Sequence, residues 1–226
     1  MDNLPLHRSI LAVDMERSTS PLRTNPIKGD LRRLVYEMLG AAMAHAGVGP
    51  DRRDPLEDRG DGVLALIHPA DDVPKSRLLS RLVPELGRLL LEYDLALPPE
   101  QWPSRGLRLR AVVHAGEVHR DAYGCFGEAV DTACRLLDAP QLKKCLRDAA
   151  GPLALVVSEE IYQGVVKHGY EGIPCGAYRQ AVRVQVAGRR RLGWVHVPGE
   201  AVEVDEPRPA ATVTPLRRVG AGHPAA

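Results

Sequence analysis

One stretch, Ser9-Ile10-Leu11-Ala12-Val13-Asp14-Met15-Glu16-Arg17-Ser18-Thr19, limits what this chain can become more than any other. An apolar run of strand length ends in Asp14, hydroxyl residues follow, and Pro21 and Pro26 mark a connection before a helical pattern begins. The run predicts a buried strand over 8–14. A carboxylate at the carboxyl edge of a strand, beside amides that can face an anion, suits a metal–phosphate site. Turn formation and capping are the commoner uses of such an aspartate. A second stretch adds weight: Glu57-Asp58-Arg59-Gly60-Asp61-Gly62-Val63-Leu64-Ala65-Leu66 reads as a tight hairpin with Asp61 at its turn.

The surrounding pattern supplies a frame for both aspartates. Leu31, Leu34, Val35, Met38, Leu39, Ala42 and Ala46 recur at helical spacing and predict a helix over 30–46 that Gly47 stops. The hairpin arms are Leu56 to Arg59 and Val63 to His68. A helix over 75–94 follows, with Leu79, Leu82, Leu86, Leu89 and Tyr93 on one stripe, and Pro84 demands a kink or a late start. Leu107 to His114 alternates and then turns apolar, as a strand entering a core does. The order is β-α-β-β-α-β, so the predicted fold class is α+β with a ferredoxin-like core. A further α/β unit extends it. Its parts are a helix over 127–138 that Pro140 ends or bends, a strand over 153–157, a short helix capped by Ser158, and strands near 179–186 and 192–197. Residues 1–200 are expected to form one domain. Residues 201–226, rich in Pro, Ala, Val and Gly without periodicity, are expected to form a mobile tail.

Composition removes several classes of function. The 226 residues include 44% hydrophobic residues, enough for one core of this size. A net charge of +1 with 4% aromatics gives neither the pull nor the stacking surface for nucleic acid, and no attraction to anionic membrane. The four cysteines form no C-x-x-C pair and read as reduced thiols without a zinc site. No apolar run reaches the length of a membrane span, and Met1-Asp2-Asn3 lacks the basic start of a signal peptide. The expectation is a cytoplasmic chain without nucleic-acid or membrane partners.

A third constellation comprises Gly116-Glu117-Val118 and then Tyr123-Gly124-Cys125-Phe126-Gly127-Glu128-Ala129-Val130-Asp131-Thr132-Ala133-Cys134-Arg135. Asp131 and Arg135 lie four apart on one helix face, which alone predicts an ordinary ion pair worth a few tenths of a kcal/mol (~0.3). Taken in order, the three stretches resemble the catalytic domain of class III nucleotidyl cyclases, over about residues 8–198. His114-Ala115-Gly116-Glu117 is similar to that family's strand-end signature, and Trp194-Val195-His196-Val197 fits its closing strand.

The resemblance implies that Asp14 and Asp61 bind two magnesium or manganese ions, with the backbone carbonyl of Met15 as a further ligand. Amides of residues 16–19, including Arg17, Ser18 and Thr19, would contact a triphosphate at a helix start. The implied reaction is attack of a nucleoside triphosphate's 3′-hydroxyl on its own α-phosphorus, with loss of pyrophosphate. Arg135 falls on the family's transition-state arginine, supplied across a homodimer. Asp131 stands where the family has a ribose-orienting asparagine, and an ionised Asp cannot donate a hydrogen bond. The family's phosphate-binding lysine would fall near Ala187. Arg189, with Arg190 and Arg191, stands close enough to substitute for it, and a solvated basic turn is the plain alternative. The base-selecting positions fall on Glu57 and Gly124. Glu57 leans toward guanine, a pyrimidine stays open, and neighbouring Cys125 can enter the pocket after a small shift. Two readings of function follow: an active cyclase, or a cyclase-like module that binds nucleotide or dimerises without turnover.

Overall fold

Period-two alternation builds the sheet, and the parity of that alternation decides which side chains meet. The computed structural model describes residues 4–199. Strand β1 (Leu6–Met15) is followed by helix α1 (Asn25–His45), the hairpin β2 (Glu57–Asp58) and β3 (Gly62–Ile67), helix α2 (Val83–Ala96), a short α3 (Trp102–Arg105) and strand β4 (Leu109–Asp121). The strand order β2-β3-β1-β4, antiparallel throughout, is the expected ferredoxin-like core. Strand β5 (Gly124–Phe126) folds back on β4, and helices α4 (Glu128–Leu137) and α5 (Pro140–Asp148) follow. Strand β6 (Leu153–Ser158) then joins β4 in parallel. After α6 (Glu159–Gly164), β7 (Arg179–Val186) and β8 (Arg189–His196) complete an eight-stranded sheet.

Leu11, Val13 and Met15 of β1 pack with α1 and α2, whereas Ile10 and Ala12 join Leu64, Leu66 and Val112 beneath α4 and α5. Asp14 shares the parity of Ile10 and Ala12. It therefore emerges at the sheet's end on the side covered by α4 and α5.

Several expectations need correction. Helix α1 starts at Asn25 rather than residue 30, with Pro26 in its first turn, where a missing N–H costs nothing. Around Pro84 the structure resolves the conflict by a π-helical segment, Leu78–Leu82, and α2 begins at Val83. The wider turn absorbs the backbone bond that proline cannot make. Beyond Leu137 the chain does not merely bend: Pro140 opens a separate helix, α5, which buries Leu142 and Leu146. Strand β8 begins at Arg189 rather than 192. Ala187 (φ 48°) and Gly188 (φ 74°) make a two-residue hairpin turn, so Arg189, Arg190 and Arg191 pair with Val186, Gln185 and Val184. The expected tail over 201–226 lies outside the described residues. No described helix is long and apolar enough to cross a membrane.

Candidate active site

Antiparallel register brings the two aspartates together. Asp14 stands opposite Gly62, the residue after Asp61, and the Met15 amide donates to the Asp61 carbonyl at 3.1 Å. Gly62 has to be glycine here, because a Cβ would lie 2.3 Å from the Val13 carbonyl oxygen. That close approach seats the hairpin tip against the end of β1. Asp61 is exposed and accepts from Ser18 Oγ at 2.5 Å.

Asp14 is differently placed. Its side chain is 19% exposed, and both carboxylate oxygens are held by Arg110, with Nε and Nη2 each at 2.7 Å. Burial raises the Asp14 pKa above the usual carboxylate range, Arg110 opposes that rise, and the neighbouring Asp61 charge adds to it. Arg110 was not singled out by sequence pattern. Only the register, Asp14 opposite Arg110, reveals it.

The segment after β1 is a run of turns, not the helix start expected for Ser18 and Thr19, and α1 lies farther on. The Glu16 amide is already spent on the Arg108 carbonyl at 2.9 Å. Buried Arg23 pins the segment by donating to the Glu16 carbonyl at 2.9 Å and the Gly106 carbonyl at 2.7 Å. Arg17 is exposed and sits in the left-handed region at φ 58°, which costs a non-glycine residue about 1 kcal/mol. Thr19 is exposed and Ser18 half-buried.

Glu57 and Gly124, the two positions that the resemblance assigns to base selection, meet. A Cβ placed on Gly124 would lie 3.8 Å from Glu57 Oε2, and φ 137° at Gly124 excludes most other residues. The anticipated entry of Cys125 needs no shift, since its thiol donates to Glu57 Oε2 at 3.3 Å. The thiol is pushed up to about 11 by burial and by that carboxylate, so it stays a protonated donor. Arg59 joins from the hairpin, with Nη2 3.1 Å from Glu57 Oε2 and 3.5 Å from Cys125 Sγ. Arg120 Nη1 lies 3.5 Å from Glu57 Oε1, which is buried and accepts no hydrogen bond.

Asp131, Cys134 and Arg135 occupy the exposed face of α4, whose other face buries Val130, Ala133 and Leu136. The ion pair that the four-residue spacing predicts between Asp131 and Arg135 is not formed among the described residues, and at such exposure it would gain little. Arg189 is exposed at the start of β8. Within one chain the structure therefore groups Asp14, Met15, Asp61 and Ser18, and separately Glu57, Gly124 and Cys125. Asp131, Arg135 and Arg189 face outward.

His114, of the strand-end signature, is 5% exposed and lies on the same strand as Arg110, four residues farther along. Its Nδ1 is 2.8 Å from Ser158 Oγ and 3.8 Å from Glu160 Oε2. Burial lowers its pKa, Glu160 partly opposes this, and Arg191, Lys75 and His7 add to the lowering. A histidine whose folded-state pKa is depressed binds protons more readily unfolded. Stability is then fully present above about pH 6.5 and declines as pH falls from there toward the folded-state value. In His114→Gln, chemical denaturation between pH 7 and pH 5 should show a flatter acid limb than wild type. An unchanged acid limb would remove His114 as the cause.

Comparison with known proteins agrees with this architecture. No protein-family model matches the chain, and no curated protein matches it by sequence. Solved structures do match. The guanylyl cyclase Cya2 aligns at a TM-score of 0.58 with 17% identity, covering 86% of this chain and 93% of that one. An adenylate/guanylate cyclase/hydrolase from Silicibacter pomeroyi aligns at 0.60 with 20% identity, covering 87% and 99%. The catalytic core of a rhodopsin-guanylyl cyclase with converted specificity, in complex with ATPαS, aligns at 0.53 with 16% identity, covering 85% and 96%. The chain has the fold of class III adenylyl/guanylyl cyclase catalytic domains over most of its length.

Proposed function

We propose that this chain is a nucleotidyl cyclase, converting a nucleoside triphosphate to its 3′,5′-cyclic nucleotide and pyrophosphate in a homodimer. The observation that carries the reading is the approach of Asp14 and Asp61 at one end of a cyclase-type sheet. Two hard carboxylates, one desolvated and repelled by the other, form a donor set that suits hard divalent cations. Among the described residues no cluster of three His, Cys, Asp or Glu side chains encloses a metal. The shell would be completed by the Met15 carbonyl, water and phosphate oxygens, as magnesium prefers. Bound there, two magnesium or manganese ions supply activation of the 3′-hydroxyl and neutralisation of leaving-group charge.

The chain's own residues divide the remaining work. Asp14 would hold the cation with Asp61, and Arg110, which holds both Asp14 oxygens here, would give up at least one of them. Arg17, Ser18 and Thr19 line the triphosphate, and Arg189 takes the part of the missing lysine, since Ala187 sits in the tight turn. The new bond joins O3′ to the α-phosphorus, the hydroxyl proton passes to water, and the bond from the α-phosphorus to the bridging oxygen breaks, that oxygen leaving with pyrophosphate. Arg135, exposed on α4, reaches the partner subunit's site and stabilises charge on the α-phosphate. Asp131 meets the ribose as an acceptor of its hydroxyl protons rather than as a donor.

A second reading, a nucleotide-binding or dimerising module without turnover, is favoured by one observation: Arg110 already satisfies both oxygens of Asp14. Incubating purified protein with each of the four nucleoside triphosphates and Mn²⁺ or Mg²⁺, and separating products by mass, decides between them. The cyclase reading expects a cyclic nucleotide and pyrophosphate in equal amounts from at least one substrate. Binding without product, for every nucleotide and either metal, would support the module.

A further inference from the structure

We infer that the gap where β6 parts from β4 is a binding site for a short aliphatic diamine, separate from Asp14 and Asp61 and independent of the cyclase reading. Ser158 opens the gap. It ends β6 and caps α6, its Oγ accepting from the Ile161 amide at 3.5 Å, so β6 pairs with β4 only as far as Val157 opposite Val113. Strand β4 runs on, and among the described residues His114 to Val118 pair only with β1. Gly116 lets α4 press close, because a Cβ there would lie 2.7 Å from Ala129 Cβ. The result is a cavity of about 210 Å³ between β4, α4, α6 and β8. His114 stands opposite Ile10, four residues before Asp14, so about 13 Å of strand separates this cavity from the aspartates.

The lining is rich in acceptors. Glu117, Glu128 and Glu160 bring three carboxylates, and Arg191 brings one guanidinium. Arg191 is committed to Glu128 through Nη2 and reaches Glu160 only at 3.6 Å. Glu160 accepts no hydrogen bond among the described residues and lies 3.8 Å from His114 Nδ1. His114 forms the floor, its side chain 6% exposed and its Nδ1 spent on Ser158 Oγ at 2.8 Å. The Glu160 charge beside Nδ1 keeps the ring proton on that nitrogen. Nε2, 3.7 Å from where a Gly116 Cβ would sit, then offers its lone pair to the cavity and has no partner among the described residues. Burial lowers the His114 pKa, so the ring is neutral at pH 7. Thr132 Oγ1 donates to the Glu128 carbonyl at 2.7 Å and keeps a lone pair for another donor. An ammonium, with three donors and no acceptor, fits this set. Glu117 marks a second position three residues along β4, about 10 Å away. Its Oε1 accepts from His7 Nδ1 at 2.9 Å, and Lys75 is spent on His7 Nε2 at 3.2 Å. Ala115 and Ala129 line the stretch between. Two acceptor sets so spaced across an apolar wall match a four-carbon chain with an amine, and a hydrogen bond, at each end.

Calorimetric titration of the full chain with 1,4-diaminobutane near pH 7, without nucleotide or metal, tests the site. One equivalent should bind with a dissociation constant below about 1 mM. 1-Aminobutane, which lacks the second ammonium, should bind about tenfold more weakly, the worth of one charge-assisted hydrogen bond, and butane-1,4-diol should not bind measurably. Glu160→Gln, an exposed change at a helix start, should weaken both amines at least about tenfold. Glu117→Gln, at the outer end, should bring the diamine down to the affinity of 1-aminobutane and leave 1-aminobutane unchanged. Asp14→Ala should bind the diamine as wild type does. No binding of the diamine, equal binding of the monoamine or the diol, or undiminished binding by Glu160→Gln would overturn the proposal. Loss of binding in Asp14→Ala would put the diamine on the aspartate pair and overturn it as well.

Discussion

Asp14→Ala protein and Arg135→Ala protein, each without measurable cyclase turnover, should recover about a quarter of wild-type turnover when mixed and allowed to exchange subunits. Random exchange makes about half of the dimers mixed, and each mixed dimer keeps one intact site of two. The expectation follows from where the residues sit. Asp14 is a partly buried strand-end carboxylate beside Asp61, whereas Arg135 stands on the outer face of α4 with no acidic partner among the described residues. Losing either should cost at least about 10³-fold in turnover, the scale for removing a metal ligand or a transition-state arginine. A mixture as inactive as its components, with heterodimers shown to form by mass spectrometry, would rule out a site shared between subunits.

Arg110→Met should destabilise the metal-free protein by about 3 kcal/mol, because removing one partner of a largely buried pair strands the other charge. In a domain of this size that corresponds to a drop in melting temperature on the order of 10 °C. The side chains of Asp14 and Arg110 are 19% and 12% exposed and joined by two hydrogen bonds, so Asp14 has little water to turn to. Manganese should then stabilise the variant more than wild type, since the cation no longer competes with a guanidinium. A bound ligand at 100 times its dissociation constant adds about 2.7 kcal/mol. Melting curves with and without Mn²⁺ measure both effects. Equal stabilisation of variant and wild type would mean that the cation binds away from Asp14.

How much of this was legible in the sequence depends on the range of the interaction. The βαββαβ order was readable because each element announces itself locally, through the helical stripe from Leu31 to Ala46 and the alternation from Leu107 onward. The approach of Asp14 to Asp61 was readable too, since a tight hairpin beside a strand leaves few registers. Helix α5 was missed because Pro140 looks like a terminator, whereas a proline in a first turn can equally open a helix. The starting point of β8 was missed because three arginines resemble a loop, yet a two-residue turn leaves them no loop to occupy. Arg110 and Arg59 were invisible for a different reason. Each acts through a partner 96 or 2 residues away, across the sheet or back along a strand, and a lone arginine in a polar context carries no local mark of its partner. The ion pair expected from Asp131 and Arg135 shows the converse, as four-residue spacing allows a contact that exposure leaves without much reward.

Anomalous scattering from crystals grown with Mn²⁺ and a 3′-deoxynucleoside triphosphate tests the central claim most directly, that Asp14 and Asp61 form one metal–phosphate site. The account predicts manganese peaks within bonding distance of both carboxylates, roughly 2.2 Å for a hard cation on oxygen, with the triphosphate beside Arg17 and Ser18 and Arg110 no longer holding both Asp14 oxygens. Manganese bound elsewhere, or a nucleotide bound while Arg110 keeps both oxygens of Asp14, would contradict it.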